Sequence, residues 1–407
     1  MISVADAVAM VTAGIEPLPA EVVGIERCLG RVLAEDVVSR VSQPPAAVSS
    51  MDGYALRTGD AASAPATLRI VGESAAGRSF PGRLGAGEAV RISTGAVLPD
   101  GADGVVIQEV CERTGDAVTI LEPAAPGRWI RPAGLDFRAG QALMRAGRRL
   151  TARDLGLAAA MNVPWLKVRR MPRVAILATG NEVIMPGDPL GPDQIVSSNS
   201  IALSATVAAW GGDPVNLGIA GDDEASLESH LDACRGVDLL VTIGGASVGD
   251  HDLVGAVLRR RGMDLRFYKV AMRPGKPLMF GRLGNVPVLG LPGNPVSVGV
   301  TSVVVLKPAM DAMLGVSDRR GAASALQSAV LGRDLAANDE RQDYLRARLA
   351  HGDGGERIAM PFERQDSAML ALLTEADCLI VRAPHAQPAR AGDRADIIML
   401  GDGVIRG

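Results

Sequence analysis

Four short turns in this 407-residue chain carry the residue types that bind and activate anions. The first is Gly244-Gly245-Ala246-Ser247-Val248-Gly249-Asp250-His251-Asp252, entered from the apolar run 237–243. Glycines let backbone N–H groups approach an anion closely, and a helix starting near Asp252 would add its partial positive charge. Asp250 and Asp252 then sit where an anion is expected, which a Mg²⁺ ion bridging carboxylate and phosphate would explain. A tight strand-to-helix turn with an Asp cap would account for the two glycines alone. Ser247, Gly249 and the paired carboxylates favour a binding loop.

The second turn, Thr179-Gly180-Asn181-Glu182, closes the apolar run 173–179 and offers a hydroxyl, a glycine and a carboxylate. By itself it also fits a helix cap. In the third, residues 268–277, Lys269, Arg273 and Lys276 stand with two prolines. That density of cations on a stiff turn suits a polyanion. In the fourth, Pro292-Gly293-Asn294-Pro295-Val296-Ser297, Pro295 suits a first helical position and Ser297 can donate to an oxyanion. Asp52, Thr94 and Asp136 lie in further polar turns and read locally as ordinary turn residues. The chain holds no phosphate-binding G-x-x-x-x-G-K-[ST] loop. His230, His251, His351 and His385 lack metal-ligand spacing.

These turns need a scaffold, and the texture of the chain supplies one. Residues 3–13 read as a short helix begun by Ser3. From about 22 to 170, glycine and proline break the sequence into short β-like runs such as 68–71, 89–92 and 104–107. From 173 to about 314, apolar strands at 173–179, 215–219, 237–243 and 286–291 alternate with helices at 199–210, 224–235 and 295–313. That alternation predicts a doubly wound α/β domain, whose ligands sit at the carboxyl ends of its strands. Beyond 317 the texture turns β-like again, with strands at 344–349 and 378–381.

Composition narrows the function further. With 47% hydrophobic and 22% charged residues the chain builds large cores, and 407 residues predict two to four domains. A net charge of −4 argues against a nucleic-acid binder. Cys28, Cys111, Cys234 and Cys378 are far apart with no C-x-x-C, which fits a reducing compartment. Met1 to Gly14 carries Asp6 and no basic start, and the weakly polar stretch 298–306 stops at Lys307-Pro308. The expectation is a cytoplasmic protein with no membrane span.

Taken in order, the motifs resemble the molybdopterin molybdenumtransferase family, the MoeA proteins and gephyrin E domains. They are Ser-x-Met-Asp-Gly-Tyr-Ala at 49–55, Ser-Thr-Gly-Ala at 93–96, Thr-Gly-Asn-Glu at 179–182, the Gly-rich run 244–252, Arg-Pro-Gly-Lys-Pro at 273–277 and Leu-Pro-Gly-Asn-Pro-Val-Ser at 291–297. Six motifs in one order are specific. The resemblance implies an α/β molybdopterin-binding domain (1–20 and 171–316), a linking domain (21–42 and 141–170), a β-rich insertion (43–140) and a small C-terminal β-barrel (317–407). It implies a homodimer in which the insertion reaches the partner's site, giving Asp52, Thr94 and Asp136 a role. The implied reaction inserts molybdenum from molybdate into adenylylated molybdopterin and releases AMP. Glu182, Asp222 and Asp252 would then serve Mg²⁺ and the reacting phosphate, and Lys269, Arg273 and Lys276 the anions. Thr179, Gly180, Gly244, Gly245, Ser247, Gly249, Asp250, Pro292, Asn294, Pro295 and Ser297 would line the substrate. The adenylyltransferase that makes the AMP-linked pterin and molybdoenzyme acceptors would be partners.

Three positions depart from the pattern: Ala46-Ala47-Val48 replaces the frequent Phe-Asp-Asn, Arg273 stands where some members carry Lys, and Gln365-Asp366-Ser367 matches Gln-Gly-Ser only in part. Two alternatives stand beside this reading. Molybdopterin adenylyltransferases share the Gly-Gly-x-Ser-x-Gly loop but are usually a lone α/β domain. A gephyrin-like scaffold would need a peptide groove, which no sequence feature marks.

Overall fold

The computed structural model describes residues 1–245, 253–317 and 326–401, and the chain divides into two compact units. One comprises Met1–Glu35, Ala146–Ala152 and Leu166–Gly407, the other Asp36–Arg145 and Arg153–Trp165.

Seven strands of the first unit bear on the site: β1 (Arg173–Thr179), β2 (Asp213–Ala220), β3 (Leu239–Ile243), β4 (Met263–Lys269), β5 (Met272–Arg273), β6 (Pro277–Leu283) and β7 (Val286–Leu291). Six of them form one sheet in the order β2-β1-β3-β7-β6-β4. Strands β2, β1, β3 and β7 are parallel, while β6 and β4 continue the sheet antiparallel. The parallel strands β1, β3 and β7 are buried almost throughout, as continuous apolar runs covered on both faces should be. Alternation sorts their side chains: Val174 and Ile176 enter one core, Ala175 and Leu177 the other.

Six helices cover the sheet: α1 (Val4–Thr12), α2 (Asn199–Ala209), α3 (Glu224–Asp232), α4 (Leu253–Arg260), α5 (Pro295–Thr301) and α6 (Lys307–Met313). Ser3 caps α1, its hydroxyl accepting from the Asp6 N–H at 3.0 Å. One core gathers α1, α2, α5 and α6 through Val11, Leu203, Val300 and Met310, and the other gathers α3 and α4 through Leu227 and Val257. The last helix runs through Pro308, as the reading of 295–313 expects. A π-helical turn, Ser302–Leu306, sits where the proline ring would strike the carbonyl four residues earlier, and the helix runs on. Pro295–Met313 therefore forms one apolar helix, long enough by composition to cross a membrane but mostly buried inside the fold.

Residues 263–283 correct the expectation of a lone basic loop. They form two antiparallel strands around a turn, and the charges of Met263–Lys269 alternate with buried Met263 and Phe267, as on a sheet edge. Beyond the α/β domain, β8 (Gln327–Leu331), β9 (Gln342–His351), β10 (Arg357–Pro361), β11 (Cys378–Arg382) and β12 (Arg394–Met399) close into a five-stranded barrel. Strand β5 leaves the α/β sheet to pair with β9, Arg273 lying opposite Asp343.

The second unit holds a six-stranded sheet in the order Gly104–Ile107, Gly53–Leu56, Glu88–Ile92, Ala66–Ser74, Ala117–Ile120 and Cys111–Thr114. Gly53 is required by close packing, because a Cβ there would overlap the Val106 carbonyl of the neighbouring strand.

Candidate active site

Sheet direction decides which predicted residues can meet. Strands β2, β1, β3 and β7 are neighbours and parallel, so their carboxyl ends share one edge. That edge receives Asp222 after β2, Thr179 to Glu182 after β1, Gly244 and Gly245 after β3, and Pro292 to Ser297 after β7. Because β4 and β6 pair antiparallel with Lys269 opposite Pro277, the turn bearing Lys269, Arg273 and Lys276 also lies at that edge. Five loops thus converge where an open α/β sheet binds ligands.

Local contacts fix them. The Asn181 N–H donates to Asp222 Oδ2 at 3.0 Å, and the Asp222 N–H returns a bond to Asn181 Oδ1 at 3.1 Å. This reciprocal pair ties the β1 and β2 loops together and leaves the carboxylates of Asp222 and Glu182 exposed at the edge. Thr179 is buried, its hydroxyl donating to the Ile243 carbonyl at 3.3 Å; that role is structural. Gly244 (φ +84°) has its N–H on the Leu291 carbonyl at 3.1 Å, and a Cβ there would stand 2.9 Å from the Thr179 carbonyl. Only glycine fits a left-handed turn that tight. Ser247, Gly249, Asp250 and Asp252 lie outside the described residues.

The β7 loop is clasped from two sides. Asn199 Nδ2 donates to the Gly293 carbonyl at 2.6 Å. From the barrel side, Asn294 Nδ2 donates to Ser367 Oγ at 2.8 Å and the Val296 N–H to the Ser367 carbonyl at 3.1 Å. Pro295 opens α5, with Ser297 4% exposed just inside it. The loop bearing Ser367 is propped by Arg346, a guanidinium 1% exposed that donates to the carbonyls of Met369 (3.1 Å) and Asp366 (3.0 Å). Sequence reasoning missed Arg346, Ser367 and Asn199; the partial Gln-Asp-Ser match at 365–367 was the one available signal.

The cations divide. Lys269 and Lys276 are exposed, as an anion ligand needs. Arg273 instead directs its guanidinium to Asp339, Asn338 and Asp343. That geometry sets it apart from the lysines beside which it was expected as an anion holder: its guanidinium faces Asp343 and Asp339, the latter shared with Arg341.

In the second unit, Asp52 Oδ1 accepts from the Thr94 N–H at 2.6 Å and the Thr94 hydroxyl at 2.9 Å. Two predicted residues therefore meet, while exposed Asp136 donates its N–H to the Gln43 carbonyl at 2.9 Å. The Thr94 N–H first and its hydroxyl second hold the Asp52 carboxyl below its ordinary value of 3.8, with Arg91 adding to the pull. A depressed carboxylate contributes its bonds above the ordinary value and loses them as pH falls through the lowered one. Thr94→Val should therefore move the Asp52 titration upward, read by carboxyl ¹³C NMR. An unmoved midpoint would show that the hydroxyl does not act on Asp52.

Known proteins share this arrangement. Residues 2–162 match the family described as MoeA N-terminal region (domain I and II), residues 175–312 the probable molybdopterin binding domain, and residues 328–400 the MoeA C-terminal region (domain IV). The chain is 32% identical over 383 residues to the molybdopterin molybdenumtransferase of Haemophilus influenzae, covering 94% of each chain. It is 39% identical over 305 residues to that of Nostoc sp., covering 73% of this chain and 70% of the other. Two crystal structures of the molybdopterin biosynthesis MoeA protein of Pyrococcus horikoshii cover 98% of this chain, with TM-scores of 0.83 and 0.84 at 30% and 26% identity. With near-complete coverage by a relative of this identity, and all three regions matched in order, the chain belongs to the molybdopterin molybdenumtransferase family.

Proposed function

We propose that this enzyme inserts molybdenum from molybdate into adenylylated molybdopterin and releases AMP. The observation that carries the reading is the meeting of Asp222 and Glu182 with Lys269, Lys276 and Ser297 at one sheet edge. Carboxylates and cations at one anion site are explained when a divalent metal and a phosphoanhydride share it. Two exposed carboxylates on adjacent loops, one braced by a backbone N–H, suit Mg²⁺, which takes one or two protein carboxylates and completes its shell with substrate oxygens and water.

Glu182 and Asp222 would hold the ion, with Asp252 as the third carboxylate, and the bound ion would neutralise charge on the phosphoanhydride. Lys269 and Lys276 bind and orient the anionic groups, Ser297 donates to an oxyanion, and Gly244 and Gly245, without side chains, let the substrate approach the loop closely. No covalent nucleophile is needed. The enzyme works as a cytoplasmic homodimer, Asp52, Thr94 and Asp136 of the insertion serving the same reaction from a second copy.

The test is direct. Purified protein is supplied with adenylylated molybdopterin, Mg²⁺ and molybdate, and AMP is followed. Molybdate-dependent AMP release is expected; its absence from well-folded protein would sink the proposal. Formation of the AMP-linked pterin from ATP and free molybdopterin would point to adenylyl transfer instead.

A further inference from the structure

The turn bearing Lys276 is held by the C-terminal barrel as well as by the sheet that precedes and follows it. Strand β5 pairs with β9, and the Arg273 guanidinium reaches Asp339 Oδ2 and Asn338 Oδ1, both at 3.2 Å, as well as Asp343. The Asp343 side chain is only 5% exposed, and its second oxygen, Oδ1, is buried without a hydrogen-bond partner. Asn338 is itself immobilised, its amide donating to the carbonyls of Arg341, Arg382 and Ala383. On the other side of the turn, the Val270 N–H donates to the Lys276 carbonyl at 3.0 Å. Gly275 (φ +110°) lies so close to α5 that a Cβ would stand 2.6 Å from Thr301 Cγ2, and Thr301 Oγ1 donates to the Ser297 carbonyl at 2.7 Å.

We propose that Arg273 and Asp343 are positioning residues, a latch that fixes the Lys276 turn against the Ser297 helix and does not itself bind the anion. The proposal rests on the assignment of Lys276 to anion binding made above. An arginine facing two carboxylates offers an incoming anion no net charge, whereas its planar fork defines an orientation that a lysine would leave loose. Misplacement of a binding group by about 1 Å can cost roughly 10²-fold.

The two roles predict opposite signs for one substitution. If Arg273 were an anion ligand, Asp343→Asn would release its charge, and the KM for molybdate would fall or hold. If it is a latch, Asp343→Asn and Arg273→Met should each raise the KM for molybdate about tenfold, with kcat at saturation changed less than about threefold. The double variant should be no worse than either single one, and Arg273→Lys, which keeps an ion pair but loses the planar fork, should recover only part of the loss. Amide hydrogen exchange reads the latch without any turnover. Both variants should speed exchange across residues 270–276 and leave β1 and β3 unchanged. Unchanged exchange there, or a lower KM in Asp343→Asn, overturns the latch. Absence of molybdate-dependent turnover in the parent protein overturns only the assigned reaction. Should Asp343→Asn fail to fold, Arg273→Met at its half-exposed position carries both readouts.

Discussion

Asp222→Asn is expected to lower turnover by about 10²-fold or more, with stability kept within about 0.5 kcal/mol of the parent. The amide has the size of the carboxylate and still presents an oxygen to the Asn181 N–H, so the bond between the β1 and β2 loops survives. The Asp222 N–H that returns to Asn181 is backbone and is untouched. What is lost is the negative charge at the strand end, which the fold does not use: Asp222 is exposed and, among the described residues, it bonds the backbone and side-chain amide of Asn181 and no cation. Asp252→Asn should behave in the same way if it supplies the third carboxylate. Because such residues act as a unit, the Asp222→Asn, Glu182→Gln double variant should fall well short of the product of the single losses. Steady-state AMP release with a parallel thermal melt measures both quantities. Unchanged turnover in a folded Asp222→Asn protein would remove Asp222 from the site, and lost activity with a collapsed melt would make its role structural.

The sheet was legible wherever burial on both faces makes a strand uniformly apolar. Residues 173–179 and 286–291 are read directly from such runs and match β1 and β7. Strand β4 was not, because an edge strand alternates and the charges of Asp264, Arg266 and Lys269 look like a loop. The site divides along the same line. Thr179, Gly180, Gly244 and Ser297 follow strand ends and can be found from local pattern, since a strand end plus glycine or a helix start is a local signal. Asn199, Ser367 and Arg346 reach the site only through tertiary contacts. Arg346 is the extreme case: a charged residue in a strand reads as solvent-facing, and nothing near it in sequence reveals that the carbonyls of the 364–369 loop surround it. Arg273 shows the converse. Its motif was legible, yet its partners Asp339 and Asp343 lie some 70 residues away, so the sequence motif gave it the role of the neighbouring lysines.

The same reasoning locates the residue whose loss should damage the fold most. Asp311→Ala is expected to destabilise the first unit by about 3–5 kcal/mol, the cost of leaving buried charge uncompensated. Asp311 faces two cations at once, the Lys307 ammonium one turn back on α6 and Arg149 Nη2 at 3.1 Å. Arg149 spends its other amino group on the carbonyls of Gly30 and Trp210, both at 3.0 Å, and Lys307 sits 5.8 Å from the centre of the Trp210 ring. None of these groups can turn to water without unpacking the helix, since the Lys307 side chain is 6% exposed. Burial pulls the Lys307 ammonium below its ordinary value of 10.5, and Asp311 opposes that pull. Removing Asp311 deepens the depression, so the folded variant sheds the lysine proton at a lower pH than its unfolded chain does. Over that interval the unfolded state binds more protons, and stability rises with pH. The gap between variant and parent should therefore narrow from pH 7 towards pH 10, in denaturant titrations followed by far-UV circular dichroism. A small loss, or a gap that widens as pH rises, would show that the two cations find other partners and that the joint does not depend on Asp311.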